Sequence, residues 1–271
     1  MNIFIPSRGR ADKIDKYTLN QLHAASTEAT KLYLVVPEKE FDEYLPVARR
    51  FNASLLYENE PDLPHLYDTL VQYAALYNMK RIAIVDDDLV FFGKAYNLSG
   101  SAHRMTSDEL RRAFVRSEAR TSAECPLVGW RHKHYCNRAM RSEWVENRRI
   151  IGLMFLYVPV VKNISFVWEH PELFDQRYTL ELIQRGFKNA VNTGYIFDSY
   201  IPQFDRSGCG AYRTPVTYSE ACVTLEKMYP EAVKLRTKTV HGKPCFDVIV
   251  KPYNLERKND ADRLEQLLAG E

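Results

Sequence analysis

Three consecutive aspartates after a short apolar segment limit the possible folds of this chain more than any other feature. Asp86, Asp87 and Asp88 directly follow Arg81–Val85, and the apolar stretch Leu89–Phe92 comes next. Buried flanks hold the carboxylates together, where they repel one another and lose hydration. Parallel α/β sheets bind ligands at the carboxyl ends of their strands, and hard cations use carboxylates together with substrate phosphates. The run predicts a metal–diphosphate site, with a solvated acidic turn as the alternative.

Apolar and amphipathic segments alternate through the first hundred residues. The predicted strands are Asn2–Ile5, Leu32–Val36, Ser54–Tyr57 and Arg81–Val85. Helices are predicted between them at 12–25, from Pro37 onward, and at 66–77, where apolar residues recur at helical spacing. This alternation predicts a Rossmann-like α/β fold, with a mostly parallel sheet, right-handed crossovers and flanking helices.

The second half mixes both kinds of element. Thr106–Glu109 has the pattern of a capping box, which begins a helix through about Arg116. Strand character returns at 152–159 and 165–168. A helix is predicted at 176–185, with a surface ion pair between Glu181 and Arg185, and another at 218–228. Two alternating segments, 233–240 and 245–251, predict a hairpin joined at 241–244, so the chain ends in a small hairpin and helix appendage.

Two further segments carry polar groups suited to a site. The turn Pro6-Ser7-Arg8-Gly9-Arg10 follows the first strand, and its N–H groups and arginines can hold a nucleotide or its phosphates. A surface turn with solvated arginines is the alternative. Asp175 precedes the helix at 176–185, where it can cap the N-terminus. If it faces the pocket, it can also act as a base or anchor an acceptor.

The order of these motifs resembles that of the GT-A nucleotide-sugar glycosyltransferases. The shared pattern is an Ile5–Arg8 turn, an aspartate cluster after a strand, and a later aspartate before a leucine-rich helix. In that family a DxD element holds a divalent metal on the diphosphate, which implies that Asp86 and Asp88 bind Mn²⁺ or Mg²⁺. A later acidic residue faces the acceptor, which implies a catalytic role for Asp175, although Phe174 replaces the first acid of the usual pair.

A narrower resemblance is to phage-type TET/JBP-associated glycosyltransferases, which are thought to glycosylate hydroxymethylated pyrimidines in DNA. It rests on Ile5–Arg10, Val85–Phe91 and Gly208–Thr214, and extends over roughly residues 1 to 250. It implies a nucleotide-sugar donor, expected to be a UDP-sugar. The residues expected to bind this donor are Pro6, Ser7, Arg8, Arg10, Asp86, Asp87 and Arg213. Family members often use a late histidine as a further metal ligand, for which His170 is a candidate, whereas His241 fits the hairpin turn.

The segment 104–149 is rich in basic residues, with eleven Arg and Lys against six Asp and Glu. Basic side chains supply phosphate contacts to DNA, and interleaved aromatic side chains can stack on an exposed base. The residues expected to contact a DNA acceptor are Trp130, Arg131, Lys133 and Arg138, with Tyr135 and Trp144 as further stacking candidates. A solvated surface with ion pairs is the alternative. A base inside a duplex would have to be flipped out, or the substrate would be single-stranded.

Composition places the chain among soluble proteins of a reducing compartment. It has 45% hydrophobic and 27% charged residues, and its five cysteines form no C-x-x-C pair, which predicts free thiols. The apolar run at 150–161 is too short to cross a bilayer, and no signal segment is recognised. We expect a cytoplasmic protein, in the host cytoplasm if phage-encoded, with no membrane contact.

These observations predict one GT-A-like domain over residues 1–255, followed by a surface tail at 256–271. Residues 1–100 would bind the nucleotide sugar and 101–255 the acceptor. The expected activity is metal-dependent hexosyl or pentosyl transfer from a UDP-sugar to a hydroxymethylated pyrimidine, such as 5-hydroxymethylcytosine, in phage DNA. The alternatives are a glycan, protein or small-molecule acceptor, a metal-dependent phosphotransferase or nuclease, and a non-catalytic DNA-binding module.

Overall fold

A large mixed sheet forms the centre of the protein. The computed structural model describes residues 1–93, 102–135, 142–200, 214–240 and 243–255. Within these ranges the sheet has ten strands. In chain order they are β1 Asn2–Pro6, β2 Lys31–Pro37, β3 Ser54–Glu58, β4 Arg81–Val85, β5 Leu89–Gly93, β6 His103–Arg104, β7 Leu127–His132, β8 Trp144–Glu146, β9 Leu153–Tyr157 and β10 Asn189–Ser199.

Most strands of this sheet run in one direction. Their order is β3-β2-β1-β4-β9-β7-β10-β5-β6, with β8 paired to β10. The four strands β3, β2, β1 and β4 are mutually parallel, and β10 is parallel to β7. By contrast, β9 and β5 are antiparallel to their neighbours. The predicted mostly parallel α/β sheet is confirmed, and the carboxyl ends of β1, β4 and β10 lie at the same edge.

Helices cover both faces of the sheet. They are α1 Thr18–Ala25, α2 Phe41–Arg50, α3 Leu63–Leu76, α4 Ser107–Arg120, α5 Val158–Val161, α6 Phe174–Gln184 and α7 Pro215–Met228. Because side chains alternate along a strand, Ile3 and Ile5 of β1 pack in a core with α1, α2 and α4. Phe4 packs in the opposite core with α3, α5 and α6. The central strands are apolar on both faces, as expected for a covered sheet.

A small appendage follows the sheet, as predicted. It consists of α7 and a two-stranded antiparallel hairpin, β11 Val233–Val240 and β12 Lys243–Val250. Tyr218, Cys222 and Leu225 of α7 form a separate apolar core with the hairpin. The turn residue His241 lies outside the described residues.

Several local predictions are confirmed. Thr106 and Glu109 form the capping box of α4, although this helix continues to Arg120. Arg185 pairs with Glu181, with Nε and Oε1 2.5 Å apart. The buried thiols of Cys125, Cys222 and Cys245 are free. Among the helices that the structure describes, none combines the length and the apolarity needed to cross a bilayer.

The predicted strand at 165–168 is wrong. Phe166 N donates to Asp68 Oδ1 at 2.6 Å, and Ser165 Oγ donates to Asp68 Oδ2 at 2.5 Å. The segment therefore satisfies its polar groups on α3, and Phe166 stacks on Tyr178 with ring centroids 3.6 Å apart. Strands β7, β8 and β10 were not predicted; β7 and β10 lie between β9 and β5 in the sheet, and β8 pairs with β10.

Candidate active site

The turn after β1 and the aspartate run after β4 meet at the carboxyl edge of the sheet. Strands β1 and β4 are parallel neighbours, so the segments that follow them lie side by side. Ser7 Oγ donates to Asp87 Oδ2 at 2.5 Å, and Arg10 forms an ion pair with Asp87. The expected meeting of these two segments is confirmed. It was predicted because parallel strands end at a common edge.

Asp87 faces the turn after β1. Asp87 is 5% exposed. Burial raises the pKa of its carboxyl to about 6, although the positive charge of Arg10 lowers that pKa. Tyr44 OH lies 2.9 Å from Ser7 Oγ and accepts a hydrogen bond from Arg10 N. Ser7, Arg10 and Asp87 thus form one internal network that fixes the shape of the turn.

The other arginine of this turn reaches the end of β3. Arg8 Nη2 donates to Glu58 Oε1 and to the Glu60 carbonyl, both at 3.0 Å. Its side chain remains 36% exposed, whereas Glu58 is buried. Pro6 is the last residue of β1. The turn is therefore a firmly held element at the edge where a nucleotide was predicted to bind.

Asp86 is held through both its backbone and its side chain. Asp86 N donates to the Gly152 carbonyl at 2.9 Å, and Thr18 Oγ1 donates to the Asp86 carbonyl at 2.6 Å. Thr18 Oγ1 also accepts from Leu89 N at 2.7 Å, so one hydroxyl spans the aspartate turn. Tyr67 OH lies 3.4 Å from Asp86 Oδ1. These contacts orient the Asp86 carboxylate toward α3 and Gly152.

Asp88 connects the aspartate turn to the end of β10. Its Oδ2 atom accepts from Ser199 Oγ at 2.6 Å, and its carbonyl accepts from Tyr200 N at 3.1 Å. The residue is 7% exposed. Asp88 therefore has a different hydrogen-bond partner from Asp87, although the charge of Arg10 acts on all three aspartates.

The structure brings Asp175 to the same cluster. It lies in the first turn of α6, which begins at Phe174, so it is inside the helix rather than at the N-cap position. Its Oδ1 atom accepts from Gln176 N at 2.7 Å. Phe174 packs edge-on against Tyr67, with ring centroids 5.0 Å apart. Tyr67 thereby links α6 to the Asp86 carboxylate.

The electrostatics of the cluster favour a bound cation. Burial raises the pKa of Asp86 well above its ordinary value, and the charges of Asp88, Asp87 and Asp175 raise it further. Arg10 opposes this effect. A divalent ion would offset the repulsion between Asp86 and Asp88, and carboxylate oxygens suit Mg²⁺ or Mn²⁺. Over the described ranges, no group of three or more His, Cys, Asp or Glu side chains is arranged to hold a metal by itself.

Some predicted site residues lie elsewhere. His170 Nε2 is 3.0 Å from Thr224 Oγ1 of α7. Lys133 Nζ is 3.0 Å from Asp198 Oδ2 and lies over the Phe92 ring. Arg131 lines a cavity behind β7. Arg138 and Arg213 lie outside the described residues.

The prediction that Trp130 stacks on an exposed base is wrong. Trp130 is 1% exposed and packs edge-on against Phe91 and Phe114. Its Nε1 donates to Ser117 Oγ at 2.8 Å, so the polar atom of the indole is satisfied inside the core. An indole in this position stabilises the packing of α4 on the sheet. Trp144 is only partly buried, on β8.

Gly152 was not recognised as a site residue. Its φ of +65° favours glycine, and a Cβ there would lie 3.2 Å from Asp86 Oδ2 and 3.3 Å from the Phe197 ring. Thr18, Tyr67 and Ser199 were also missed as partners of the aspartates. They are identified only by their proximity to the aspartates in the folded protein, because each is far from Asp86–Asp88 in sequence.

Comparison with known proteins shows likeness in fold. The sequence matches no protein-family model and no curated protein. M. tuberculosis glucosyl-3-phosphoglycerate synthase, in complex with Mn²⁺, UDP and glucosyl-3-phosphoglycerate, is similar with a TM-score of 0.53 and 11% identity, over 93% of this chain and 86% of that chain. S. aureus TarS 1-349 in complex with UDP gives a TM-score of 0.49 and 10% identity, over 99% and 69%. Against another TarS 1-349 structure, this chain covers 59% of that chain.

Proposed function

We propose that this protein is a metal-dependent glycosyltransferase that moves a sugar from a UDP-sugar to a hydroxymethylated pyrimidine in DNA. The observation that carries the proposal is the cluster of Asp86, Asp88 and Asp175 at the carboxyl edge of the sheet. The fold is shared with a synthase whose structure holds Mn²⁺ and UDP, and this likeness supports the same class of donor here.

Asp86 and Asp88 are the residues that would hold Mn²⁺ or Mg²⁺. When bound, such an ion supplies positive charge that stabilises the diphosphate leaving group. Two carboxylates together with substrate phosphates are a common ligand set for these ions. The proposal fits the environment of Asp86, where burial and then the neighbouring charge of Asp88 raise the pKa of its carboxyl.

The turn after β1 would hold the nucleotide. Arg8 and Arg10 provide positive charge at the edge where β1 ends, and guanidinium groups bind phosphate oxygens through paired N–H donors. Asp87 would act through Ser7 and Arg10, because it is bonded to both. Arg213 remains part of the proposed donor site on the sequence resemblance alone.

Asp175 would act on the acceptor hydroxyl. As a general base it would remove the hydroxyl proton in an inverting reaction, and in a retaining reaction it would position the hydroxyl. Its place in the first turn of α6 fixes the carboxylate near Asp86. Tyr67 contacts both sides of the cluster, because its OH lies 3.4 Å from Asp86 Oδ1 and its ring packs on Phe174, the residue before Asp175.

Two other functions use the same aspartates or the same basic segment. A metal-dependent phosphotransferase or nuclease would also need Asp86 and Asp88, and a glycosyltransferase could act on a glycan, protein or small molecule. The shared fold with a UDP-bound synthase favours glycosyl transfer over phosphoryl transfer. The basic segment 104–149 favours DNA over a neutral glycan.

Mass spectrometry of the acceptor tests the proposal. Hydroxymethylated DNA is incubated with the protein and a panel of UDP-sugars, with Mn²⁺ or with EDTA. We expect the mass of one glycosyl group on the modified base, in the Mn²⁺ reaction only. Cleaved DNA would favour a nuclease, and UDP-sugar hydrolysis without any DNA product would favour another acceptor.

A further inference from the structure

A cavity of about 340 Å³ lies between the main sheet and the C-terminal hairpin. Its sheet wall comes from β7, β8 and β10, and its other wall from β12 and the turn at Pro252–Asn254. Val145, Val191 and Val248 give it an apolar lining. The volume is in the range of small-molecule sites, which combine an apolar lining with a few polar groups.

The charges that line this cavity are all positive. Its arginines are Arg131, Arg148, Arg149 and Arg236. Among the described lining residues there is no Asp or Glu, although Arg236 also pairs with Asp247 on the hairpin. Arginines that line one cavity repel one another, and an anion bound there offsets that repulsion. Guanidinium groups bind phosphate through paired N–H donors.

Arg148 is held in place to donate. Its backbone exchanges hydrogen bonds with the Asn189 side chain, at 2.9 and 2.7 Å. Its guanidinium carbon lies 4.4 Å from the centroid of the Tyr253 ring. Arg148 Nη1 is buried and has no hydrogen-bond partner within the part of the chain that the structure describes. A buried donor without an acceptor is costly, and because Arg148 lines the cavity, a ligand oxygen bound there would offset this cost.

The cavity adjoins the aspartate cluster. Ile151 lines it, and the next residue, Gly152, contacts Asp86. His132 also lines it and packs edge-on against Phe197, with ring centroids 5.2 Å apart. A would-be Cβ of Gly152 lies 3.3 Å from the Phe197 ring, so the same aromatic side chain borders both places. A ligand in the cavity would therefore lie next to the proposed donor site.

We propose that the cavity binds a phosphate-bearing part of the acceptor, about one nucleotide in size, through Arg148 and its neighbouring arginines. That the ligand is the acceptor rests on the proposed glycosyl transfer. That the ligand carries a phosphate rests on the residues of the cavity alone. This cavity, which Trp130 and Arg131 help to line, takes the place of the exposed stacking surface that the sequence predicts for the acceptor. The phosphate belongs either to a DNA strand or to a small phosphorylated acceptor.

Binding of two probes tests the proposal and separates these sources. A fluorescent single-stranded oligothymidylate and inorganic pyrophosphate are titrated separately in EDTA, which prevents metal-assisted binding at the aspartates. Arg148→Ala should weaken binding at least about tenfold, as expected for losing a hydrogen bond to a charged group. Arg49→Ala, which removes the same charge from an exposed position on α2, should bind like the wild type.

The outcomes are distinct. If both probes bind and both need Arg148, the proposal is supported and the bound phosphate belongs to DNA. If only pyrophosphate binds through Arg148, the proposal is supported and the phosphate belongs to a small acceptor. No binding of either probe, or equal binding by wild type and Arg148→Ala, overturns it. Tyr253→Ala, at a 51% exposed residue, should also weaken binding several-fold, and it replaces Arg148→Ala if thermal unfolding shows that variant to be misfolded.

UDP binding by the wild type in Mn²⁺ is measured alongside. If UDP binds but neither probe does, the cavity proposal fails and the proposed transfer stands. If a probe binds through Arg148 but UDP does not bind, the proposed transfer fails and the cavity remains a phosphate site.

Discussion

At the scale of single residues, the orientation of three adjacent carboxylates separates their roles. Asp87 turns toward Ser7 and Arg10, whereas Asp86 and Asp88 have other partners, Tyr67 and Ser199. The middle aspartate therefore fixes the turn after β1, and the outer two carry the negative charge that a cation would neutralise.

Asp175→Asn should lower the turnover of sugar transfer by roughly 10²–10⁴-fold, the usual contribution of a general base. The amide cannot accept the acceptor proton, but it preserves the size of the side chain and its contact with Gln176 N. Steady-state kinetics and UDP titration measure the two effects separately. An unchanged rate together with reduced thermal stability would instead assign Asp175 to helix stabilisation.

Gly152→Ala should weaken the metal site. Alanine in the left-handed region costs roughly 1–2 kcal/mol, and its Cβ would press on Asp86 Oδ2. Gly9→Ala is the matched control, because Gly9 has a φ of +67° and a Cβ there would contact nothing within 4 Å. We expect similar losses in the free energy of unfolding from backbone strain in both. Gly152→Ala should need more Mn²⁺ than the wild type for half-maximal activity, and an unchanged requirement would contradict the role of Gly152.

The donor side of the candidate site follows from local sequence patterns. A strand that ends in aspartates and a strand that ends in Ser7-Arg8 meet because parallel strands share a carboxyl edge. The acceptor side was less accessible to sequence reasoning. Basic residues adjoin Trp130 in sequence, as they would adjoin an exposed stacking residue. Only the fold shows that Phe91 and Phe114 pack against its indole.

At the scale of elements, β10 shows why part of the sheet was not predicted. This strand contains Asn189 and Asn192, which disfavour strand assignment, yet both are fully buried. Asn192 Oδ1 accepts from Gly194 N and Tyr195 N, both at 2.9 Å, where the pairing of β10 with β7 shifts register. The Asn192 side chain thus accepts the backbone hydrogen bonds that a neighbouring strand would otherwise accept. This role depends on how β10 pairs with β7, so it cannot be read from the sequence of β10 alone.

The capping box of α4 gives a prediction for pH dependence. Hydrogen bonds from the Thr106 backbone, and then from His103, lower the pKa of Glu109 to about 2. Because this pKa is lowered in the folded protein, Glu109 stabilises the fold at pH values above its pKa in the unfolded chain. This contribution is lost as pH falls through about 2. Urea unfolding of Glu109→Ala should show a loss of roughly 0.3–1 kcal/mol at pH 7, the usual contribution of an acidic side chain near a helix N-terminus. The difference from wild type should narrow at pH 3, and a constant difference would contradict this account.

At the scale of the whole molecule, the sheet collects residues that are distant in sequence at one edge. Ser7 follows β1, Asp87 and Asp88 follow β4, and Ser199 ends β10. Ser7 donates a hydrogen bond to Asp87, and Ser199 donates one to Asp88. The hairpin and the turn at Pro252–Asn254 then form the outer wall of the arginine-lined cavity. The arrangement places a candidate donor site and a candidate acceptor site next to each other, as a transfer reaction requires.

Calorimetric titration of UDP, with and without Mn²⁺, tests the central claim most directly. The proposal predicts that Mn²⁺ tightens UDP binding to the wild type. In Asp88→Asn this gain should fall by at least the roughly 10- to 100-fold that even an outer-shell change costs in metal affinity. Asp42→Asn, at an exposed residue of α2, should retain the gain. UDP binding that is independent of Mn²⁺, or an Asp88→Asn variant that keeps the full gain, would contradict the metal–diphosphate site.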